Sequence, residues 1–316
     1  MQSWRLGFLG IETIPPWLGE FEIEQFFRLT PSDITTIKTR RGTESQLGLA
    51  LHIGFLRMSG RVLNSTDVIH WRILAFLGAQ LEIPAPRVTS LRALYPRRPT
   101  LHEHQRLAKV QLGFKNLIEP AQRQLVAYLR QTRGATIDAC ELLTLARHWL
   151  YEHHYLIPGE RHLLDLCRSV LSDQEAKLVR AIEKSIPLRQ REAWVAALSR
   201  PHTSLPGQRC LDWLKQSLRS RRGQGLAGAF ERIFFLSDLK VGTIPLPAMP
   251  PELVKSYANR IARFKLTRFA RLKPAMQTIG LTSFLQVALW RTTDEAIEAW
   301  LMRVSEVRRL AVERAA

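Results

Sequence analysis

The sequence predicts an all-α protein: a multi-helix bundle with helix-turn-helix-like modules, divided into two helical domains. Three observations lead there. Nearly every stretch between Gly and Pro punctuation repeats its apolar positions at three- and four-residue spacing. Several stretches begin and end on helix start and stop residues. No stretch sustains the alternation of a strand, and the best candidate, RIFFLSDLKVGTIPL (232–246), alternates weakly.

In chain order, the first strong start is LTPSDITTIK, with Thr30 as N-cap, Pro31 at the first helical position and Asp33 in the first turn. Gly42 is expected to end that helix. The next runs from about Glu44 to Ser59 and stops at Gly60. Its only strongly polar residues are Glu44, Ser45, Gln46, His52 and Arg57, so it should lie at the centre of its domain. Gly48 and Gly54 each weaken a helix relative to alanine, and close approach of a neighbour is the usual compensation. A helix capped by Ser65 or Thr66 follows and stops before Pro84 and Pro86. Further helices are expected at about 87–95, 100–112, 119–132, 138–154, 159–184, 189–199, 207–220 and 225–237. One more covers 251–272, and a long one runs from about 275 to 313. The end of the last, RVSEVRRLAVERAA, reads as part of a longer protein or as an arm that packs on a partner. RRGQGLAG (221–228) reads as a flexible basic turn.

Two breaks divide the chain. Pro187 ends a long charged helix, and KVGTIPLPAMPPE (240–252) is a proline-rich connector. The expected domains are 1–185 and a second, basic helical region over 186–316. The 316 residues, 46% of them hydrophobic, suffice for two cores and exclude a disordered chain. No window approaches 18 consecutive apolar residues, and MQSWRLGFLGIETIPPWLGE has no charged n-region or cleavage site. Membrane insertion and secretion are therefore not expected. Cys140, Cys167 and Cys210 are odd in number, widely spaced and in apolar helical contexts, so buried free thiols are expected. Trp71, Trp149, Trp194 and Trp213 are read as core residues.

The net charge of +18 predicts polyanionic partners and salt-sensitive association. It is concentrated. Between Leu253 and Thr293 there is no Asp or Glu, yet there are eight cations: Lys255, Arg260, Arg263, Lys265, Arg268, Arg271, Lys273 and Arg291. In NRIARFKLTRFARLK the apolar Ile261, Phe264, Leu266, Phe269 and Leu272 interleave with five of them. Such a helix can line a phosphate backbone, lie on a membrane or enter a partner groove. A second basic cluster spans 87–133. There, two short helices joined at GFKNLIEP resemble a helix-turn-helix reader, the second offering Gln122, Arg123, Arg130 and Gln131, then Arg133. Arginine reads guanine, glutamine reads adenine, and both serve phosphates. A third basic spot is Lys38, Arg40 and Arg41 at the start of the buried helix, where free amides and the helix dipole also favour an anion.

IKTRRGTESQLGLALHIGFLRMSGR resembles a segment near the start of Tn-three-type transposases, R-x-R-R-G-x-x-x-x-L-G-x-A-x-x-L-x-x-L-x-x-x-G. Arg40, Arg41, Gly42, Leu47, Gly48, Ala50 and Gly60 carry the match. HEHQRLAKVQLGFK is similar to that family's H-x-x-x-I-x-x-x-L-G-F/Y block through His104, Leu112, Gly113 and Phe114, with Ala108 in place of the usual apolar residue. HYLIPGERHLLDLCRSV is a looser match to R-x-x-L-P-x-x-x-x-L-E-R-L, carried by Pro158, Leu163 and Leu166, with the Glu-Arg pair not kept. The resemblance covers about residues 25 to 185. It implies a helical N-terminal region that binds terminal inverted repeats. It also implies that strand cleavage and joining use an Asp-Asp-Glu metal-binding triad in a domain much further along a far longer chain.

No enzyme motif competes. RHWLYEHHYL places His148, Glu152, His153 and His154 at spacings that fit neither HExxH nor HxxEH, and the two histidines of HEH (102–104) diverge on a helix. No catalytic residue, metal site or cofactor is therefore expected in this chain. The expected partner is double-stranded DNA at transposon ends, with no membrane. Self-association, or a catalytic domain C-terminal to this chain, is the further partner. The expected location is the bacterial cytoplasm, on the nucleoid when bound. The first module would use Lys38, Arg40, Arg41, Arg106, Lys109, Arg123, Arg130 and Arg133, with Gln122, Arg123 and Gln131 at base edges. The second would use Arg260, Arg263, Lys265, Arg268 and Arg271. A helical protein-interaction scaffold and an RNA-binding protein stay open as alternatives; an aromatic content of 8% and the lack of an RRM or KH signature count against the latter.

Overall fold

The computed structural model describes residues 3–64, 69–84, 88–95, 98–132, 138–203, 205–216, 223–243 and 249–315. Among them every regular element is helical, and the all-α expectation holds. In order they are α1 (Glu20–Phe27), α2 (Pro31–Lys38), α3 (Thr43–Ser59), α4 (Trp71–Leu81), α5 (Val88–Leu94), α6 (Arg98–Leu112), α7 (Glu119–Thr132), α8 (Ala139–Glu152), α9 (Glu160–Ser185), α10 (Leu188–Ser199), α11 (Cys210–Lys215), α12 (Gly223–Asp238), α13 (Pro251–Ala262), α14 (Leu266–Phe269) and α15 (Pro274–Ala315). Short 3-10 turns cover Ser3–Phe8 and Val241–Thr243. The described residues divide into two units, and the division falls inside α9 between Arg168 and Ser169.

In the first unit α3 is buried on all sides, from Leu47 to Leu56 without interruption. Both of its interior glycines are filled by neighbours. A Cβ on Gly54 would lie 2.2 Å from the Phe27 ring of α1, and one on Gly48 would lie 2.4 Å from the Tyr95 hydroxyl and 3.1 Å from the His104 ring of α6. Two blocks of the transposase-like pattern therefore meet as packing partners. A third joins them at Gly60, the left-handed C-cap of α3 (φ +69°), whose carbonyl accepts the Ile157 amide at 2.9 Å. The N-terminus of α2 is built as expected: Asp33 N donates to Thr30 Oγ1, and Thr30 N donates to Asp33 Oδ2 at 2.8 Å. Asp33 is fully buried and also accepts Arg57 Nη2 at 2.7 Å and Gln111 Nε2 at 3.0 Å, tying α2, α3 and α6 together.

The second unit is organised by the N-terminal half of α15, which packs on α12 and α13. Its core includes Trp194, Leu211, Trp213, Leu236, Tyr257, Ile261, Ile279 and Leu285. At Gly280 the Ile261 side chain approaches to 2.5 Å of where a Cβ would stand. Trp194 Nε1 and Gln190 Nε2 both donate to the Leu239 carbonyl, at 2.8 and 2.9 Å.

Several expectations are corrected. Gly42 does not end α2, which stops at Lys38; with φ +88° it is the N-cap of α3. The helix expected to begin at Ser65 or Thr66 begins at Trp71 with His70 as N-cap, and residues 65–68 lie outside the described residues. Trp71 itself is 65% exposed, because it stands at the first position of that helix. The weak strand candidate is the end of α12, a 3-10 turn and residues outside those described. The basic turn 221–228 is helical from Gly223, with 221–222 outside the described residues. α11 ends at Lys215. The single helix over 251–272 is broken: Lys265 is extended (ψ 156°) between α13 and α14. In an uninterrupted helix Arg268, seven positions after Ile261, would face the core; the break turns Phe269 inward and Arg268 outward. Cys140 is exposed at the second position of α8, while Cys167 and Cys210 are buried free thiols as expected.

Two predictions follow from the burial of α3. Gly54→Ala would gain up to about 1 kcal/mol from helix propensity alone. The overlap with Phe27 reverses the sign, and chemical denaturation should show a loss of about 2 kcal/mol or more, partly recovered by Phe27→Leu in the same chain. His52 is fully buried, and burial, then the charge of His104, pulls its pKa down from 6.5 to about 3. The unfolded chain thus takes the proton first. Stability is flat above about pH 6.5 and falls as pH drops toward the folded value, by on the order of 2 kcal/mol at pH 5. His52→Met should reduce that slope without abolishing it, because burial also holds His104 down, to about 4; an unchanged slope between pH 7 and pH 5 would contradict the assignment.

Candidate nucleic-acid interface

The short loop between α2 and α3 is held rigidly. Arg40 N donates to the Ile37 carbonyl at 3.0 Å, and Gln46 Nε2 donates to the Arg40 carbonyl at 2.9 Å. Lys38 and Arg41 are exposed there, and no side-chain hydrogen bond caps α3 at Gly42. Because α6 packs along α3, it brings Arg106 to the same neighbourhood. Lys109, half-buried on α6, reaches Asn116 Oδ1 at 3.5 Å. Arg40 is not free: its guanidinium pairs with Glu103 of α6 at 2.6 Å. That hydrogen bond, then the Arg40 charge, holds the Glu103 carboxyl below the usual carboxylate range. Sequence reading missed Glu103 because the partners are 63 positions apart.

The helix expected to act as reader, α7, packs on α8 and buries Leu125 and Leu129, whereas α6 packs on α3. Arg123, Arg130 and Gln131 are exposed, and Gln122 is half-buried. Arg123 lies 3.9 Å from Glu119, both well exposed, a weak pair. Arg133 lies outside the described residues.

The second basic surface is the turn from α13 through α14 into α15. Leu253, Tyr257, Ile261 and Phe269 point inward, and Arg260, Arg263, Lys265, Arg268, Arg271 and Lys273 all point out. None of these six has an ion-pair partner among the described residues. The backbone beneath them is fixed from inside. Gln277 Nε2 donates to the carbonyls of Ala270 and Leu272 at 3.1 and 2.9 Å, and Lys215 Nζ donates to the Phe264 carbonyl at 2.6 Å. The Arg268 guanidinium lies over the Phe264 ring, 4.5 Å from its centroid. Beside the turn is an open concavity of about 630 Å³ lined by Arg209, Asp212, Lys265, Leu266, Thr267 and Ala270. Its carboxylate, Asp212, is paired with Lys215 at 3.2 Å. Lys273 was visible in the acid-free stretch and belongs with the set; Arg209 carried no sequence signal.

Among the described residues no group of three His, Cys, Asp or Glu side chains is placed to hold a metal ion. His148 and Glu152 form a half-exposed pair at 3.7 Å on one helix face. Of the two histidines at 102–104, one is exposed and one is buried against Ser45 and Tyr95. Among the described residues no helix is long and apolar enough to cross a membrane.

Residues 11–170 match the model of a protein family described as a domain of unknown function, DUF4158. Over 311 residues the chain is 35% identical to the transposase for insertion sequence element IS1071 in transposon Tn5271 of Comamonas testosteroni, covering 98% of this chain and 32% of that protein. It is 24% identical over 298 residues to the transposase for transposon gamma-delta of Escherichia coli K12, covering 93% of this chain and 29% of that one. It is 23% identical over 212 residues to the transposase for transposon Tn3926 of Escherichia coli, covering 67% and 21%. The chain thus spans about a third or less of the length of these relatives.

The unpaired basic turn predicts a specific polyanion contact. Replacing Arg260, Arg263, Arg268 and Arg271 by Gln should weaken binding to heparin at least about tenfold at physiological salt. The melting temperature should barely change, since all four side chains are exposed and unpaired. The same number of substitutions at the paired Arg28, Arg168, Arg303 and Arg309 should do much less. Equal losses from the two sets would show that only total charge matters.

Proposed function

The chain belongs to the DUF4158 family and corresponds to the N-terminal region of a Tn-three-type transposase, and from that premise we propose that it binds the terminal inverted repeats of the transposon as duplex DNA. A transposase-related role is common to its relatives. In the finer reading, strand cleavage and joining are left to a catalytic domain elsewhere in the transposase. The site of action is the bacterial cytoplasm, on nucleoid DNA. The observation that carries this reading is the turn at 260–273: six outward cations, no acidic partner among the described residues, and a backbone locked from within. Duplex DNA presents closely spaced phosphates, and each cation placed against one releases a counterion. A rigid array needs no ordering on binding, so more of the contact energy appears as affinity.

The loop at Lys38–Arg41 serves as a second phosphate contact. Glu103 moderates it by holding Arg40, and the exposed face of α7, with Arg123, Arg130 and Gln131, is the best-placed candidate for base edges. A strong salt dependence with a moderate sequence preference fits that division, because phosphate contacts position the protein and few side chains read bases.

Salt-titrated binding tests it on three ligands: the duplex inverted repeat of the element, a random duplex and single-stranded RNA. The expected result is a specificity ratio for the repeat that survives as salt rises. Arg40→Ala with Arg41→Ala should weaken both duplexes alike and flatten the logarithmic salt slope by roughly one to two. Glu103→Gln should strengthen both a few-fold. Equal affinity for repeat and random duplex would leave only a generic basic surface, and preference for RNA would replace the reading outright.

A further inference from the structure

Beyond the proposed DNA contacts, the C-terminal part of α15 presents a second surface that no other element among the described residues covers. The inward face of this helix runs through Leu285, Ala288, Thr292, Ala296 and Ala299, and it ends there; every residue from Trp300 to Ala315 is exposed. On a different side lies an apolar seam. Ile297, Trp300, Val304, Val307 and Ala311 follow one another at spacings of three, four, three and four, the interval at which a helix presents one line of side chains to another helix. Ile297 is 53% exposed, Trp300 56% and Val307 53%. Leu301 and Val312 widen the seam on one side, and Trp290 extends it one heptad toward the N-terminus. At 100° per residue the seam is centred about 100° round the helix from the buried face, and it runs on past the end of that face at Ala299.

The residues bordering the seam decide what fits it. In the heptad with Ile297 and Val304 at the first core position, Arg303 and Arg308 occupy the two flanking positions that face a partner helix across a parallel pair. Two copies in parallel would set Arg303 against Arg308, in a chain that already carries +18. The acidic residues Glu298, Glu306 and Glu313 lie on the far side, where Glu306 and Glu313 pair with Arg303 at 2.7 Å and Arg309 at 2.5 Å in the same helix. A helix with carboxylates at its flanking positions would meet Arg303 and Arg308 with opposite charge. The β-branched Ile297, Val304 and Val307 suit close helix pairing. We propose that residues 297–312 of α15 are a docking surface for an amphipathic helix with apolar core positions and acidic flanks.

The test uses the full chain and a synthetic helix of about four heptads with Ile and Leu at its core positions and Glu at its flanks. Fluorescence anisotropy should show saturable binding at physiological salt. Binding should be at least tenfold tighter than for the same helix with Lys flanks and than for a Glu-flanked helix whose core positions are Ser. Trp300→Asp with Val307→Asp should remove it at least tenfold. Both positions are exposed, so helix content and heparin binding should stay unchanged and report an intact fold. Three results would overturn the proposal: equal binding of the Lys-flanked helix, equal binding of the Ser-core helix, or insensitivity to the double substitution. Sedimentation at micromolar concentration and flotation with anionic vesicles test the other occupants. Dimerisation or vesicle binding that the double substitution abolishes, without binding of the Glu-flanked helix, would assign the seam to a second copy or to a lipid surface instead.

Discussion

The first unit depends on enclosing one helix completely. α3 can be buried on every side only because two of its turns carry glycine, letting Phe27 of α1 and the Tyr95–His104 pair press against bare backbone. That enclosure has consequences in polar chemistry. Arg57 leaves α3 near its end and must be matched, which the buried Asp33 carboxylate and the Arg28 carbonyl do at 2.7 and 2.6 Å. Burial pushes the Asp33 carboxyl up, and the Thr30 amide and the Arg57 guanidinium more than reverse it, leaving it ionised. His52 has no such partner; it stays neutral in the interior, with neither ring nitrogen hydrogen-bonded among the described residues. Acid should therefore loosen this unit from two directions. The carboxylate loses its charge as the pH falls through a depressed pKa, and the buried imidazole is left behind by an unfolded chain that protonates more easily.

The same enclosure explains why the loop at Lys38–Arg41 is a firm platform. It joins a helix locked by a reciprocal cap to a helix that cannot move without opening the core. Cations on such a loop keep their positions, and α6, seated on α3, adds Arg106 and the counter-charge of Glu103 from a distant part of the chain.

The surplus of positive charge is not one quantity. A share of the arginines is structural: Arg5 bonds Tyr151 and the Arg57 carbonyl, Arg61 and Arg147 pair with Glu12 and Glu160, and Arg191 bonds Glu183 and Thr278. Arg232 is almost fully buried and donates to the Gln216 carbonyl at 2.6 Å. The cations at 260–273 are of another kind, exposed, unmatched among the described residues and mounted on backbone that Gln277 and Lys215 hold from beneath. Net charge alone does not distinguish the two groups; partner geometry does. It is the second group that makes phosphate recognition physically reasonable.

What the sequence determined by itself were the features that live within one or two helical turns. The Thr30–Pro31–Asp33 start, the stop at Gly60, the enclosure of α3 from its unbroken apolar run and the acid-free stretch before Asp294 all depend on neighbours at most a few residues away, or on composition. The family pattern was legible too, though the meeting of Gly48 with His104 appears only when α3 and α6 pack. Tertiary structure decided the rest. Gly42 reads as the stop of α2 until φ +88° places it at the head of α3. The break before α14 follows from Ile261 being committed to the groove at Gly280, which forces the chain to turn before Arg268 would enter the core. The exposure of Cys140 and the capture of Arg40 by Glu103 likewise depend on which helices meet. Local signals act through bonds and contacts along the chain, whereas pairing and burial are set by surfaces that lie far apart in sequence until the fold brings them together.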